Sequence, residues 1–261
     1  MTRIAEDSRE ARFDSLVVEE PLEIRVGRRS LAVTMRTPGN DYELAAGFAL
    51  TEGLIAGGAD VATISYCPGP EKQRFNVLDV TLAPGVRPPP AQAARSLLTT
   101  SSCGLCGKAT INSVRSRSRF GVESDPLTVP AAVLCELPGR LREAQKVFER
   151  TGGLHAAGLF DAAGRLVCLR EDVGRHNAFD KVIGWAALAG RLPLRGHLIL
   201  ASGRASFELV QKALMAGIPL LAAVSAPSSL AADLAEEAGM TLVGFLRGDT
   251  MNVYAGDHRV V

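Results

Sequence analysis

The run His197-Leu198-Ile199-Leu200-Ala201-Ser202-Gly203-Arg204 is an apolar segment of strand length that ends in a small polar turn. It leads into Ala205 to Ala216, a helical segment stopped by Gly217, and then into Ile218 to Val224, a second short apolar strand. Strand, helix and strand at this spacing form a βαβ unit, which requires a sheet with parallel pairs and helices against its faces. Downstream, Ser228 or Ser229 caps a further helix and Thr241 to Leu246 reads as the last long strand. Upstream, Leu154 to Phe160 and Arg165 to Glu171 read as a hairpin across Asp161-Ala162-Ala163-Gly164, followed by a helix with Phe179, Val182, Ile183 and Ala186 on one stripe. The expected fold is an α/β layer.

The N-terminal third has a different pattern. Its first fifteen or so residues read as polar and irregular. Leu16 to Val26 and Ser30 to Arg36 then read as two strands joined through Gly27-Arg28-Arg29. Asn40 and Asp41 are candidate caps for a helix carrying Leu44, Ala45, Phe48 and Leu54, ended by Gly57 and Gly58. Strands around Val61 to Tyr66 and Phe75 to Leu82 complete a small α+β unit. Pro84 to Pro90, with three consecutive prolines at its end, favours an extended connection, so the expected division is 1–90 and 91–261.

Composition sets outer limits on function. With 47% hydrophobic and 22% charged residues, 261 residues can bury a sizeable core. A formal net charge of +1 gives no global attraction to nucleic acid, although Arg115, Arg117 and Arg119 form a local basic run. No stretch approaches a membrane span, and no apolar signal segment precedes Leu16. Five cysteines at low density do not suggest a disulfide framework, and the expected location is the cytoplasm.

Three of those cysteines, Cys67, Cys135 and Cys168, stand singly among apolar or strand-forming neighbours and read as small core hydrophobes. The other two lie in Ser101-Ser102-Cys103-Gly104-Leu105-Cys106-Gly107-Lys108. Lys108, or a helix starting just after Gly107, would favour the thiolate, and the glycines let a bulky partner approach the sulfur. Three chemistries suit the pair. A zinc site would have to borrow two more ligands, for instance His155, His176 or residues of a second chain. A thiol redox site would be expected to follow a strand and open a helix. A sulfur carrier needs an exposed cysteine able to meet two partners in turn.

Polar, glycine-containing segments follow three expected strands: Glu171-Asp172-Val173-Gly174-Arg175-His176-Asn177, Ser202-Gly203-Arg204 and Arg247-Gly248-Asp249-Thr250. In α/β folds ligands collect at such strand ends, so a shared cleft is the expectation beside that of ordinary capped turns. Arg204 is a phosphate-contact candidate, and His176 could move a proton or cap its helix.

Taken together, Arg36-Thr37-Pro38-Gly39-Asn40-Asp41, the Ser-Cys-Gly-x-Cys-Gly loop, the block from Glu171 to Lys181, Ser202-Gly203-Arg204 and Gly244-Phe245-Leu246-Arg247-Gly248 resemble the formate dehydrogenase accessory sulfurtransferase family, FdhD. The resemblance runs from about Leu16 to the C-terminus. It implies a sulfur carrier that takes sulfur from a cysteine desulfurase and delivers it to the molybdenum (or tungsten) bis-guanine-dinucleotide cofactor, its cargo, before insertion into formate dehydrogenase. By motif match Cys103 would form the persulfide and Cys106 would support it. Phe245, Leu246, Arg247, Gly248, Asp249 and Thr250 would bind the cofactor, so affinity for a GDP-like guanine nucleotide is implied. The resemblance also implies a homodimer and a cytidine-deaminase-like α/β/α sandwich beside the N-terminal α+β part. The 91–261 part would carry the cysteine loop, expected to be mobile. A deaminase's zinc-binding His-x-Glu and Pro-Cys-x-x-Cys elements are missing from the sequence, so no deaminase chemistry and no resident metal are implied. The competing expectation is a zinc-stabilised cofactor-binding chaperone.

Overall fold

A computed structural model describes residues 1–6, 8–68, 75–87 and 118–261. Contrary to the expectation of an irregular start, Thr2–Ala5 (β1) and Ser8–Ala11 (β2) pair as an exposed antiparallel ribbon. Glu20–Val26 (β3) and Arg29–Arg36 (β4) form the expected hairpin. Its two turn residues, Gly27 and Arg28, both take positive φ (56° and 67°), the backbone twist that lets a two-residue turn match right-handed strands. Val61–Tyr66 (β5) and Val77–Leu82 (β6) complete a four-stranded sheet of order β4-β3-β6-β5, in which only β3 and β6 run parallel.

The helix Asp41–Thr51 (α1) starts where Asn40 and Asp41 indicate, but it ends before Leu54. Gly53, at φ +73°, supplies the left-handed turn that terminates it, and Gly57 and Gly58 lie beyond that point. Leu44 and Ala45 close the core of the small sheet with Leu22, Ile24, Leu31, Leu78 and Val80.

The larger sheet has six strands: His155–Asp161 (β7), Leu166–Asp172 (β8), His197–Ala201 (β9), Leu220–Ala223 (β10), Thr241–Arg247 (β11) and Thr250–Ala255 (β12). Their order is β12-β11-β10-β9-β7-β8. The pairs β9/β10 and β10/β11 are parallel, as the βαβ reading requires, and the remaining pairs are antiparallel. The edge strand β12 was not expected; it returns from β11 through the turn at Gly248.

Helices cover both faces of this sheet. Arg175–Leu188 (α4), Phe207–Met215 (α5) and Ser229–Glu237 (α6) pack on one face through Phe179, Val182, Ile183, Leu209 and Ala231. Ser228 caps α6, its Oγ accepting a hydrogen bond from Ala231 N at 3.3 Å. Ala131–Ala144 (α2) covers the other face with Leu134, Leu137 and Leu141, and the short Lys146–Thr151 (α3) follows it. The architecture is mixed α/β.

The crossing of α1 and α4 fixes where the two sheets lie relative to each other. A Cβ on Gly47 would stand 1.8 Å from Asp180 O, and one on Gly184 would stand 1.8 Å from Glu43 O. Only glycine permits this backbone approach. Beside the crossing, Lys212 Nζ donates to Asp180 Oδ1 and Oδ2 (2.8 Å each) and to Thr51 Oγ1 (2.9 Å). That buried triad ties α1, α4 and α5 together.

Candidate functional site

Strands β8, β9 and β10 end along one edge of the large sheet, where β7 begins, and the far end of β11 reaches the same edge. Most polar residues of the Glu171–Lys181 block turn inward there. The Glu171 carboxylate accepts from Val147 N (3.1 Å) and Phe148 N (2.8 Å), so it caps α3. Asp172, fully buried, accepts from Gly174 N (2.8 Å), Thr37 N (3.2 Å) and Asn177 Nδ2 (2.9 Å), and pairs with Lys181 Nζ at 2.7 Å. Lys181 also donates to Thr37 O (2.8 Å), and Asn177 Nδ2 to Met35 O (2.7 Å). The end of β4 thereby clamps the first turn of α4. The Arg36 to Asp41 motif is structural in the same sense: Arg36 and Asp41 form a buried ion pair at 2.9 Å, joined by Tyr66 Oη, which donates to Asp41 Oδ2.

Val173, Arg175 and His176 are the residues of the block left near the sheet edge. His176 Nε2 lies 2.7 Å from Glu208 Oε2 and 3.4 Å from Ser206 Oγ, joining α4 to the start of α5. Arg175 Nε is buried and has no hydrogen-bond partner among the described residues. His155, half-buried at the start of β7, is held below the ordinary histidine pKa, chiefly by burial and then by electrostatic repulsion from the neighbouring Arg175. Its ring faces Gly203, where a Cβ would touch His155 Nδ1 and Cε1 at 3.4 Å. Ser202 Oγ accepts from Ala156 N (2.8 Å). Arg204 is exposed.

The segment expected to bind the cofactor forms the β11–β12 turn. Phe245 adopts φ +51°, a left-handed conformation unusual for a bulky residue, and a register shift separates Gly244 from Arg247. The strained strand end leaves Phe245 and Asp249 exposed while Leu246 packs fully buried in the core beneath α2. Arg247 Nε donates to Val224 O (2.8 Å), its guanidinium lies 5.8 Å from the Phe245 ring centroid, and Thr250 Oγ1 donates to Arg247 O (3.2 Å).

Between α2, α3 and this edge runs a groove of about 510 Å³, lined in part by His155, Val173, Ser202 and Val224. It brings the β8 and β9 ends together, and Arg247 reaches its rim through Val224. The groove also takes in Arg142, Gln145 and Phe148, from a region the sequence reading left without elements. The leucines at 134, 137 and 141 carried a helical signal there, masked by Pro138-Gly139.

Cys103 and Cys106 lie outside the described residues. Of the other cysteines, Cys168 is buried as expected, whereas Cys67 and Cys135 are only half-buried. Burial pushes the Cys168 thiol up to about 11. Among the described residues no group of three or more His, Cys, Asp or Glu side chains is placed to hold a metal ion, and no helix is long and apolar enough to cross a membrane.

The class is that of open α/β sheets with polar side chains gathered at the strand ends, the kind of edge where ligands collect in α/β folds. The chain belongs to the FdhD/NarQ family, whose model matches residues 17–261. It is 61% identical to a protein of Mycolicibacterium paratuberculosis named sulfur carrier protein FdhD, over 96% of this chain and 93% of the relative. A Streptomyces avermitilis protein of the same name is 56% identical over 99% and 93%. A solved structure described as a candidate formate dehydrogenase accessory protein from Desulfotalea psychrophila shares the fold, with a TM-score of 0.77, 24% identity and coverage of 100% and 97%.

Proposed function

We propose that this chain is a cytoplasmic sulfur carrier acting through a persulfide on Cys103. It would receive sulfur from a cysteine desulfurase and deliver it to a molybdenum or tungsten bis-guanine-dinucleotide cofactor destined for formate dehydrogenase, with the chain working as a homodimer. The observation that carries the reading is near-complete, 61% identity to a protein named as a sulfur carrier, in a chain that holds a Ser-Cys-Gly-x-Cys-Gly loop.

In the first step the Cys103 thiolate attacks the outer sulfur of the desulfurase persulfide. A new S–S bond forms at Cys103, the donor's S–S bond breaks, and the desulfurase leaves as its own thiolate. Delivery as hydrosulfide needs two electrons. The Cys106 thiolate supplies them by attacking Cys103 Sγ, which frees the outer sulfur for the soft metal of the cargo and leaves a disulfide that an external dithiol reduces. Arg247, Gly248 and Asp249 offer a cation, backbone donors and an acidic acceptor to the cargo's phosphate and guanine groups.

Intact mass spectrometry after incubation with a desulfurase and cysteine tests the reading. The parent is expected to gain about 32 Da per added sulfur, and Cys103→Ala none. Stoichiometric zinc in the purified protein, lost in Cys103→Ala, would support the zinc-stabilised chaperone instead. Arg247→Ala is expected to weaken GDP binding while persulfide formation continues; unchanged GDP affinity removes the β11–β12 turn from the binding site.

A further inference from the structure

The chain ahead of β3 is an arm with little surface of its own. The β1–β2 ribbon faces solvent, Leu16 is 82% exposed and Phe13 is fully exposed. Among the described residues, no hydrogen bond or ion pair ties residues 1–18 to the rest of the molecule; those they make lie within the arm. A two-stranded ribbon alone is marginal in water, and a solvated phenyl ring leaves a large burial gain unrealised. The arm can therefore move without breaking a polar bond to the body of the protein.

Its root decides where it can go. Val17 is half-buried against Gly153, where an added Cβ would stand 3.1 Å from Val17 Cγ1. Gly153 lines the groove beside α2, whose apolar walls include Leu141, Phe148, Val173 and Val224. Residues 12–19 form neither helix nor strand. When such a segment lies extended, side chains 13, 15 and 17 share one face, so the face that sets Val17 on Gly153 also carries Phe13. Four residues span up to about 14 Å, which brings the Phe13 ring within reach of the groove from this anchor. Leu16 and Val18 then point the other way.

We infer that residues 12–17 are an autoinhibitory strap: they exchange between this open arrangement and a closed one in which the Phe13 ring enters the empty groove. The groove, at about 510 Å³, has room for a phenyl ring, and Phe148 and Leu141 offer it an apolar wall. Burial of the ring is sufficient to make the closed form the major one. A ligand of the groove has to displace Phe13, so its apparent affinity is reduced by the fraction of chains that are open. The strap thus keeps an apolar cavity covered until an occupant arrives. This closure does not depend on what the groove carries, and it goes beyond the carrier reading.

Tryptic cleavage between Arg12 and Phe13, followed by intact mass, is one test. Val173→Glu places a charge in the groove wall and releases the strap, so this bond is expected to be cut at least threefold faster than in the parent. The second test is binding of the apolar dye ANS to the full chain. Phe13→Ser changes a fully exposed side chain and keeps the fold; it should raise ANS fluorescence, because the freed groove admits the dye although an aromatic ring has left the surface. Where Val173→Glu melts below the parent, the dye result alone decides. Equal cleavage rates in the parent and a parent-stable Val173→Glu overturn the inference, as does ANS fluorescence that is unchanged or lower in Phe13→Ser. Protection of Arg12 that disappears on dilution also overturns it, since the arm then comes from a second copy. The carrier reading is judged separately, by the mass adduct at Cys103.

Discussion

Replacing Gly184 with alanine adds one methyl group at the tightest point of the molecule. The new Cβ would lie 1.8 Å from Glu43 O, 2.6 Å from Glu43 C and 2.7 Å from Gly47 N, all backbone atoms that cannot rotate away. An ordinary carbon contact is about 3.5 Å, so α1 and α4 must separate by roughly 1.7 Å. Overpacking of this kind costs about 1–3 kcal/mol, and separation also strains the Lys212–Asp180–Thr51 triad, whose loss would add about 3–5 kcal/mol. Alanine's better helix propensity returns about 1 kcal/mol. The net expectation is about 2–5 kcal/mol, which at roughly 2–4 °C per kcal/mol for a chain near this size lowers the melting temperature by about 4–20 °C. Gly139→Ala is the control: it sits within α2, nothing lies within 4 Å of the added Cβ, and it should melt at or slightly above the parent. Thermal and urea denaturation of both variants measure the difference. A Gly184→Ala protein that melts within a degree of the parent would refute the argument, because the helices would then have room that this crossing denies them.

Asp172→Ala leaves the Lys181 ammonium and the Gly174 and Thr37 amides without their shared acceptor, so urea titration should show a loss of about 3–5 kcal/mol. Because burial pushes Cys168 up to about 11, its thiol should resist iodoacetamide in the native protein at pH 8 and react once the chain is unfolded in urea. His155 has a folded-state pKa below its ordinary value, so the unfolded chain takes up a proton first as pH falls. Its stabilising contribution is complete above about pH 6.5 and declines from there toward the lower folded-state pKa. His155→Asn should flatten this part of the stability profile between about pH 7 and 5, and an unchanged slope would show that another group causes the decline.

Local chemistry made much of the fold legible. The apolar run at His197–Ala201, the Gly27-Arg28 turn and the Ser228 cap each depend on neighbours a few residues away, and each appears where the sequence places it. The α2 helix was hidden because Pro138 and Gly139 argue against a helix from within, while the leucines at 134, 137 and 141 argue for it; packing on the large sheet decides the matter. The β12 strand carries an exposed pattern and depends on a β11 edge that sequence alone does not supply. For the site, the sequence located the strand ends but gave the Glu171–Lys181 block a functional look. Asp172, Asn177, Asp180 and Lys181 instead find partners in Met35, Thr37, Thr51 and Lys212, most of them more than a hundred residues away. Arg142, Gln145 and Phe148 escaped notice because a groove is a property of three elements meeting.

The clamp between the end of β4 and the start of α4 bears on how the chain is made. Thr37 O waits for an ammonium group synthesised 144 residues later, and the Gly47 face of α1 has no surface to lie against until Gly184 has been translated. On the ribosome, then, the small sheet emerges well before the contacts that orient it. Its docking is a late event of biogenesis, and a nascent chain halted ahead of Gly184 should be open to protease around α1 where the finished chain is closed.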